Sequence, residues 1–357
     1  MIATNLLRAL SASLFVVPLA AVAQIPMPAI SPPGPSSTSE TIHLDVVVRA
    51  RSGQPVPSLG QQDFTIIDSK SPRPITSFKA VTGKQEQVEV VLFIDAIDTP
   101  YSEVAFMRDS VKKYLKANPT LAHPTTIAVL TDQGAQVENN FSTDGVSLSN
   151  DLEHHSIGLR QITRGSQWGD TDRLSIGVKA LHQLVGYASS LPGRKIILWI
   201  SPGWPLLSGP GYVLTSREQQ QVFGDIVYFS TEMRQSRITL YDINPLGPEQ
   251  PILDANYYQN FAKGVTKLDD AQYAGLSLQV LSTQTGGLTL ETNSDVTGEI
   301  AQCLADADSW YEITFDPLPA DKPNKYHRIE VRVDQPGLVV RTRDGYYANP
   351  QILAPQH

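Results

Sequence analysis

The residues able to do chemistry in this 357-residue chain are scattered and form no recognised catalytic motif. There is no Gly-x-Ser-x-Gly elbow, no Gly-Lys-Thr phosphate loop and no His-Glu-x-x-His pair. His154 and His155 are adjacent, and adjacent helix positions diverge by about 100°, so the pair does not face one metal. His43, His123, His182 and His327 stand singly and are read as surface or core histidines. Cys303, the only cysteine, lies in Ile300-Ala-Gln-Cys-Leu304, which has the spacing of a helix face. A buried, inert thiol is expected there, and an internal disulfide is excluded. Asp95 ends the apolar run that begins at Val88. A carboxylate at that place caps a following helix or accepts backbone N–H groups. Asp98 and Thr99 precede Pro100 as helix-start residues do. Trp204 and Tyr212 fall in the Pro/Gly-rich segment 201–213, beyond a strand end. Exposed, they suit protein recognition; in the alternative reading they cover the sheet edge.

The elements that must position these residues follow a β, then α/β, then β order. Ile42–Val48, Phe64–Ile67 and Ile75–Phe78 are short strands, too few to bury much among themselves. From Val88 the pattern changes. Val88–Ile94 is a near-continuous apolar run, as strands buried on both faces are, and Thr125–Leu130, Lys195–Ile200 and Arg237–Asp242 are the strands that follow. Helical spacing joins Val104, Met107, Val111 and Leu115, then Leu174, Val178, Leu181 and Val185, then Phe223–Met233 and Leu276–Leu281. Asp269-Asp270 is read as a helix start. Strands alternating with helices imply a doubly wound, mostly parallel α/β sheet. The tail returns to strands at Trp310–Phe315, His327–Val333 and Leu338–Arg341. The economical arrangement inserts the α/β domain, 85–305, between segments 41–84 and 306–348, which together form a small β-sandwich. A fragment of 85–305 is then expected to fold by itself, and 41–84 is not. Residues 349–357 are a tail.

The composition fits a globular chain, with 41% hydrophobic and 18% charged residues and a formal net charge of −8. Without a dense run of Lys or Arg, nucleic acid is not an expected partner. Residues 1–23 carry the features of a signal peptide: Arg8, a short apolar stretch, and Ala21-Val-Ala23 as the cleavage site. A mature N-terminus at Gln24 is expected, and a periplasmic or extracellular location. Residues 24–40 are a Pro/Ser-rich linker. No later stretch is long and apolar enough to span a membrane, so none remains after signal removal.

The chain resembles the VWFA-related proteins (von Willebrand factor type A-like) common among exported acidobacterial sequences. The resemblance covers residues 40–348. It is carried by Val46-Val-Val-Arg with Ser52-Gly-Gln-Pro-Val-Pro-Ser-Leu and Asp63-Phe, by Ile75-Thr-Ser-Phe78, and by Leu92-Phe-Ile-Asp95 with Asp98-Thr99. Leu191-Pro-Gly-Arg-Lys195, Leu198-Trp-Ile-Ser201, Tyr311, Arg328-Ile-Glu-Val, Pro336-Gly and Gly345-Tyr-Tyr-Ala348 continue it. It implies a VWA or Rossmann-like fold and a protein-binding, adhesion-type role.

The resemblance also implies where a cation would sit: on the Asp-x-Ser-x-Ser loop after the first sheet strand, a Thr from a second loop and an Asp from a third. Asp95 and Thr99 match the first loop, but Ile97 replaces a Ser. Thr171, in Gly169-Asp-Thr-Asp172, stands for the second. Ser201-Pro-Gly203 puts Pro202 where the third Asp belongs. The expected metal residues are therefore Asp95, Thr99 and Thr171, a degenerate site. No cofactor is expected, and Mg²⁺ or Ca²⁺ at most weakly, unless Asp98, Asp170 or Asp172 compensates. Asp98, Ser201, Trp204 and Tyr212 are the candidates for contact with a protein or cell-envelope partner. The functional expectation is an exported binding module and not an enzyme; the alternative is a hydrolase of the cell exterior with an unrecognised active site.

Overall fold

In this computed structural model the described residues are 41–82, 85–97, 101–131, 134–138, 140–154, 167–201, 207, 212–245, 257–291 and 295–351. The signal segment and linker, Asp98, Thr99, His155, Pro202 and Trp204 lie outside them.

The apolar runs form the middle of a parallel sheet. Its strands are β5 (Val88–Asp95), β6 (Thr120–Thr131), β9 (Arg194–Ile200), β10 (Ile238–Ile243) and β11 (Thr289–Leu290). They lie in the order β11-β10-β9-β5-β6, and β7 (Gly134–Val137) and β8 (Ser142–Asp144) pair antiparallel with β6. Counted along the chain, the parallel strands run 2-1-3-4-5, so the winding reverses between β5 and β9. Every residue of β5, β9 and β10 is buried, because helices cover both faces. On one face α3 (Gln167–Ser189), α4 (Ser216–Gln235) and α5 (Leu278–Gln284) pack Leu181, Phe229 and Leu281 against Phe93, Trp199 and Leu240. On the other, α1 (Tyr101–Ala117), α2 (Gly145–His154) and α6 (Val296–Leu304) pack Met107, Leu152 and Ile300 against Leu92, Ile94 and Ile200. Cys303 belongs to this second layer and is fully buried, as its helix-face spacing implies.

The flanking segments interleave. β1 (Ile42–Ala50) pairs antiparallel with both β12 (Ser309–Phe315) and β14 (Leu338–Arg341), and β12 pairs with β4 (Ile75–Thr82). In the second sheet β13 (Lys325–Val333) lies between β15 (Gly345–Ala348) and β2 (Phe64–Asp68), with β3 (Ser71–Arg73) on the edge. Leu44, Val46, Ile66, Tyr311, Ile313 and Tyr346 fill the space between the sheets. The fold is thus a doubly wound α/β sheet inserted in a β-sandwich.

Residues 39–357 form one compact unit. Sandwich residues Val47, Val81 and Trp310 belong to the second apolar layer of the α/β part. Charge binds the same junction. Arg237 donates to Asp45 Oδ1 at 2.7 Å and also pairs with Glu312. Arg194, 1% exposed, donates to the Asp306 carbonyl at 2.9 Å, and its guanidinium lies 4.9 Å from the Trp310 ring centroid. Asp306 in turn accepts from Arg49, Arg341 and, at 2.7 Å, the Tyr241 hydroxyl.

Three local expectations change. Gly169–Asp172, read as a loop, lies within the first two turns of α3. The helix expected over Leu276–Leu281 begins at Leu278, behind a short 3-10 turn over Tyr273–Leu276. Asp269-Asp270 belongs to another isolated 3-10 turn, Leu268–Asp270.

Candidate functional site

Because its strands are parallel, the sheet brings their carboxyl ends to one edge. Asp95 ends β5, Ser201 follows β9, and Asn244 follows β10. Ser201 N–H donates to Ile243 O at 3.0 Å and Asn244 N–H to Leu290 O at 2.8 Å, which extends the ladder past the strand ends. Asp95 and Ser201 therefore flank the point where the winding reverses, the place where open α/β sheets bind ligands.

Asp95 is fully buried, and its carboxylate is engaged within the fold. Oδ1 accepts the Ile97 backbone N–H at 3.1 Å, and Oδ2 accepts the Trp199 indole N–H at 3.2 Å. Trp199 is held in place by Phe93, whose ring centroid is 4.1 Å away. Of the two sequence readings for Asp95, the bonding to Ile97 fits acceptance of a backbone N–H at the strand end. Ile97 is 4% exposed and packs in the first apolar layer, on the α3 and α4 side. Ser201 is likewise fully buried, so its described position suits scaffolding more than contact. Tyr212 is half-buried against that same layer, which fits the reading in which it covers the sheet. Thr99, Asp98 and Trp204 lie outside the described residues.

Thr171 is on α3, half-buried, and lines a groove of about 440 Å³ between α3 and α4, with Ser175, Lys179, Glu218, Asp225 and Tyr273. The groove is shaped by two well-specified helices. Thr215 and Glu218 form a capping box at the start of α4, with Thr215 N–H donating to Glu218 Oε2 at 2.8 Å. At the groove His182 Nε2 lies 3.1 Å from Asp225 Oδ1, and its ring packs against both Tyr228 and Phe229. His327 is paired in the sandwich core, 3.0 Å from Asp68 Oδ1, with Tyr346 hydroxyl donating to Asp68 Oδ2 at 2.7 Å. Both follow the core-histidine reading.

Sequence reasoning passed over Asp242. It stands beside Trp199 in the register, one strand further from Asp95, and opposite Thr289. It is fully buried, and neither carboxylate oxygen has a hydrogen-bond partner. Burial, then Glu291, then Glu299 push its carboxyl well above the usual range. Burial and Asp295 push Glu299 up to about 7. The only sequence signal was an Asp inside an apolar parallel-strand run, Ile238-Thr-Leu-Tyr-Asp-Ile243.

Among the described residues, His43, Asp45 and Glu312 converge within 4.8 Å of one another, as metal ligands would. Arg237 and Arg194 already face that group, so its negative charge is balanced without an ion.

No protein-family model and no curated protein matches this sequence. Among solved structures, the chain is similar to an aerotolerance-related membrane protein from Bacteroides fragilis, a variant with multiple mutations to serines. The TM-score is 0.36 at 15% identity, over 61% of this chain and 98% of that one. It is also similar to the human COPII-coat protein Sec24c, with a TM-score of 0.33 at 9% identity, over 76% of this chain and 44% of Sec24c. The chain thus spans less than half of Sec24c's length. At these scores the fold class rests on the chain's own strand order: a doubly wound, mostly parallel α/β sheet inserted between the halves of a β-sandwich.

Proposed function

We propose that the chain is an exported protein-binding module of the von Willebrand factor type A kind. On this reading it meets its partner at the carboxyl edge of the sheet without a resident cation at Asp95. One observation carries the cation-independent part: the Asp95 carboxylate accepts Trp199 Nε1 and Ile97 N, so it holds the strand end together. A divalent ion there would have to displace those donors with one carboxylate's charge, and hydrated Mg²⁺ gives up its waters reluctantly. Ile97, buried among apolar neighbours, offers no side-chain oxygen. Export rests on residues 1–23; among the described residues no helix is long and apolar enough to cross a membrane.

The hydrolase alternative needs raised carboxylates and a histidine in one cleft. The described groups acting on Asp242, Glu291 and Glu299 include no histidine. This favours the binding reading. The test is capture of a partner from envelope extracts by the mature chain. Capture that survives chelator and is lost in Trp204→Ala supports the proposal. Capture abolished by chelator and by Asp95→Ala overturns its cation-independent part.

A further inference from the structure

A second feature of the sheet edge is independent of that reading. It is a niche, the group of side chains around Asp242 at the β10–β11 end of the sheet, where Asp242 itself is fully buried. Thr289 sits opposite it across the parallel ladder. The turn before β11 makes this close approach through two glycines. Gly286 adopts φ +84°, and a Cβ on Gly287 would collide with the Leu240 carbonyl. Gln279 on α5 donates its amide to Glu291, and Tyr258 lies next to Thr289, Glu291 and Asp242. Tyr258, Gln279, Thr289 and Glu291 are each half-buried, so this group of side chains is in contact with solvent.

Its oxygens are unanswered. Asp242 Oδ1 and Oδ2 and Gln279 Oε1 are buried without a hydrogen-bond partner. An unpaired buried carboxylate is among the costliest arrangements in a protein interior. Protonation removes the charge but supplies a single O–H, which cannot answer all the remaining acceptor oxygens. Nor does a neighbouring charge relieve it: the described groups acting on Asp242 are Glu291 and Glu299, both acids. Waters filling the niche would satisfy hydrogen bonds but leave two carboxylates uncompensated. A divalent cation between Asp242 and Glu291 answers both deficits.

We propose that this niche is a calcium-class cation site, with Asp242 and Glu291 as its carboxylate ligands and Gln279 Oε1, Thr289 Oγ1 and the Tyr258 hydroxyl as neutral oxygens around it. The donor chemistry sets the ion. The set is all oxygen, which disfavours zinc and other ions that prefer nitrogen or sulfur. It mixes charged and neutral side chains of differing length, which suits the flexible shell of Ca²⁺ better than the strict octahedron of Mg²⁺. Two carboxylates balance the ion's charge. Bound there, it would pin α5, β11 and the turn at Tyr258 to the end of β10, beside Trp199.

The test uses the mature full-length chain, stripped with chelator and titrated with CaCl₂ by calorimetry, with Tb³⁺ luminescence sensitised through Tyr258 as a second readout. The expected result is saturable one-to-one binding that raises the melting temperature. Asp242→Asn and Glu291→Gln should each weaken it by roughly a hundredfold, since affinity follows ligand charge. Asp95→Ala should leave it unchanged, which separates this site from the strand-end position discussed above. Asp242→Asn is isosteric and removes a buried charge, so in chelator it should melt no lower than the wild type. Absence of Ca²⁺ binding, or binding that Asp242→Asn does not weaken, would overturn the proposal and leave a water-filled niche around a neutral acid.

Discussion

The Trp199 indole N–H donates to Asp95 Oδ2 at 3.2 Å, across the strand boundary where the winding of the sheet reverses. The bond uses the one carboxylate that a cation at this edge would need, and it ties that carboxylate to an aromatic pair in the core. Trp199→Phe keeps most of the packing and removes the donor. The buried carboxylate is then under-satisfied, at a cost of about 1–3 kcal/mol. Denaturant unfolding measures it. In an Asp242→Asn background, which silences the proposed calcium niche, Mg²⁺ titration should stay flat, with any affinity near 10⁻³ M or weaker, roughly. Micromolar Mg²⁺ binding that vanishes in Asp95→Ala would show that Asp98, Asp170 or Asp172 rebuilds a working site.

The junction between sandwich and sheet makes Arg237 a second point of fragility. It faces Asp45 and Glu312, whose side chains are 11% and 12% exposed. Arg237→Met leaves Glu312 without this cation and Asp45 with Arg194 alone. The cost should be about 2–3 kcal/mol, below that of a fully buried pair because a fifth of the Arg237 side chain meets water. Arg237→Met combined with Glu312→Gln should recover part of the loss. A double mutant no more stable than the single would mean that Glu312 is not part of the coupling.

Two carboxyls give stability opposite pH slopes. Asp68 is held below its ordinary value: burial works to raise it, but His327, the Leu318 N–H and the Tyr346 hydroxyl outweigh that. Its contribution is present above the unfolded value of 3.8 and is lost as pH falls through the lower folded value. Glu299 is the reverse. Its ordinary value of 4.5 is pushed up to about 7, so its contribution is full below 4.5 and drains away as pH rises through 7. That second arm amounts to at most about 3 kcal/mol. In chelator, unfolding midpoints between about pH 3 and pH 8 should therefore peak in the weakly acidic range. Glu299→Gln should reduce the slope of the high-pH arm, which Asp242 and Asp344 share, and leave the acid arm intact; an unchanged high-pH arm counts against this assignment.

The sheet was legible because strands buried on both faces have no polar alternative. Val88–Ile94 and Lys195–Ile200 leave little else to be. The strand alternation of His327–Val333 was equally plain. Gly169-Asp-Thr-Asp172 misled because glycine and aspartate mark turns, yet acidic residues are also favoured in the first turns of a helix. Asp242 was illegible for a different reason. What surrounds it arrives from α5 and β11, 37 to 49 residues later in the chain (Gln279 to Glu291), and no local spacing encodes that. The charged junction is similarly remote: Arg237 meets Asp45 across 192 positions and Arg49 meets Asp306 across 257.

The same junction alters what is expected of the inserted domain alone. Arg194 begins the central strand β9 and is 1% exposed only because Asp306, Trp310 and Asp45 enclose it. A fragment of residues 85–305 lacks all three. It also loses Val47, Val81 and Trp310 from the apolar layer above β5 and β9. Three large or branched apolar groups at about 1.5–3 kcal/mol each amount to a large share of the 5–15 kcal/mol, roughly, that a domain has in total. The sequence pattern alone suggested that 85–305 folds by itself; the packing argues that it does not do so cooperatively. Supplying 41–84 and 306–348 as a joined sandwich in trans should restore a sharp thermal transition, because both segments contribute strands to each sandwich sheet. A cooperative melt of 85–305 within a few degrees of the mature chain would show instead that the junction orients the two parts without stabilising either.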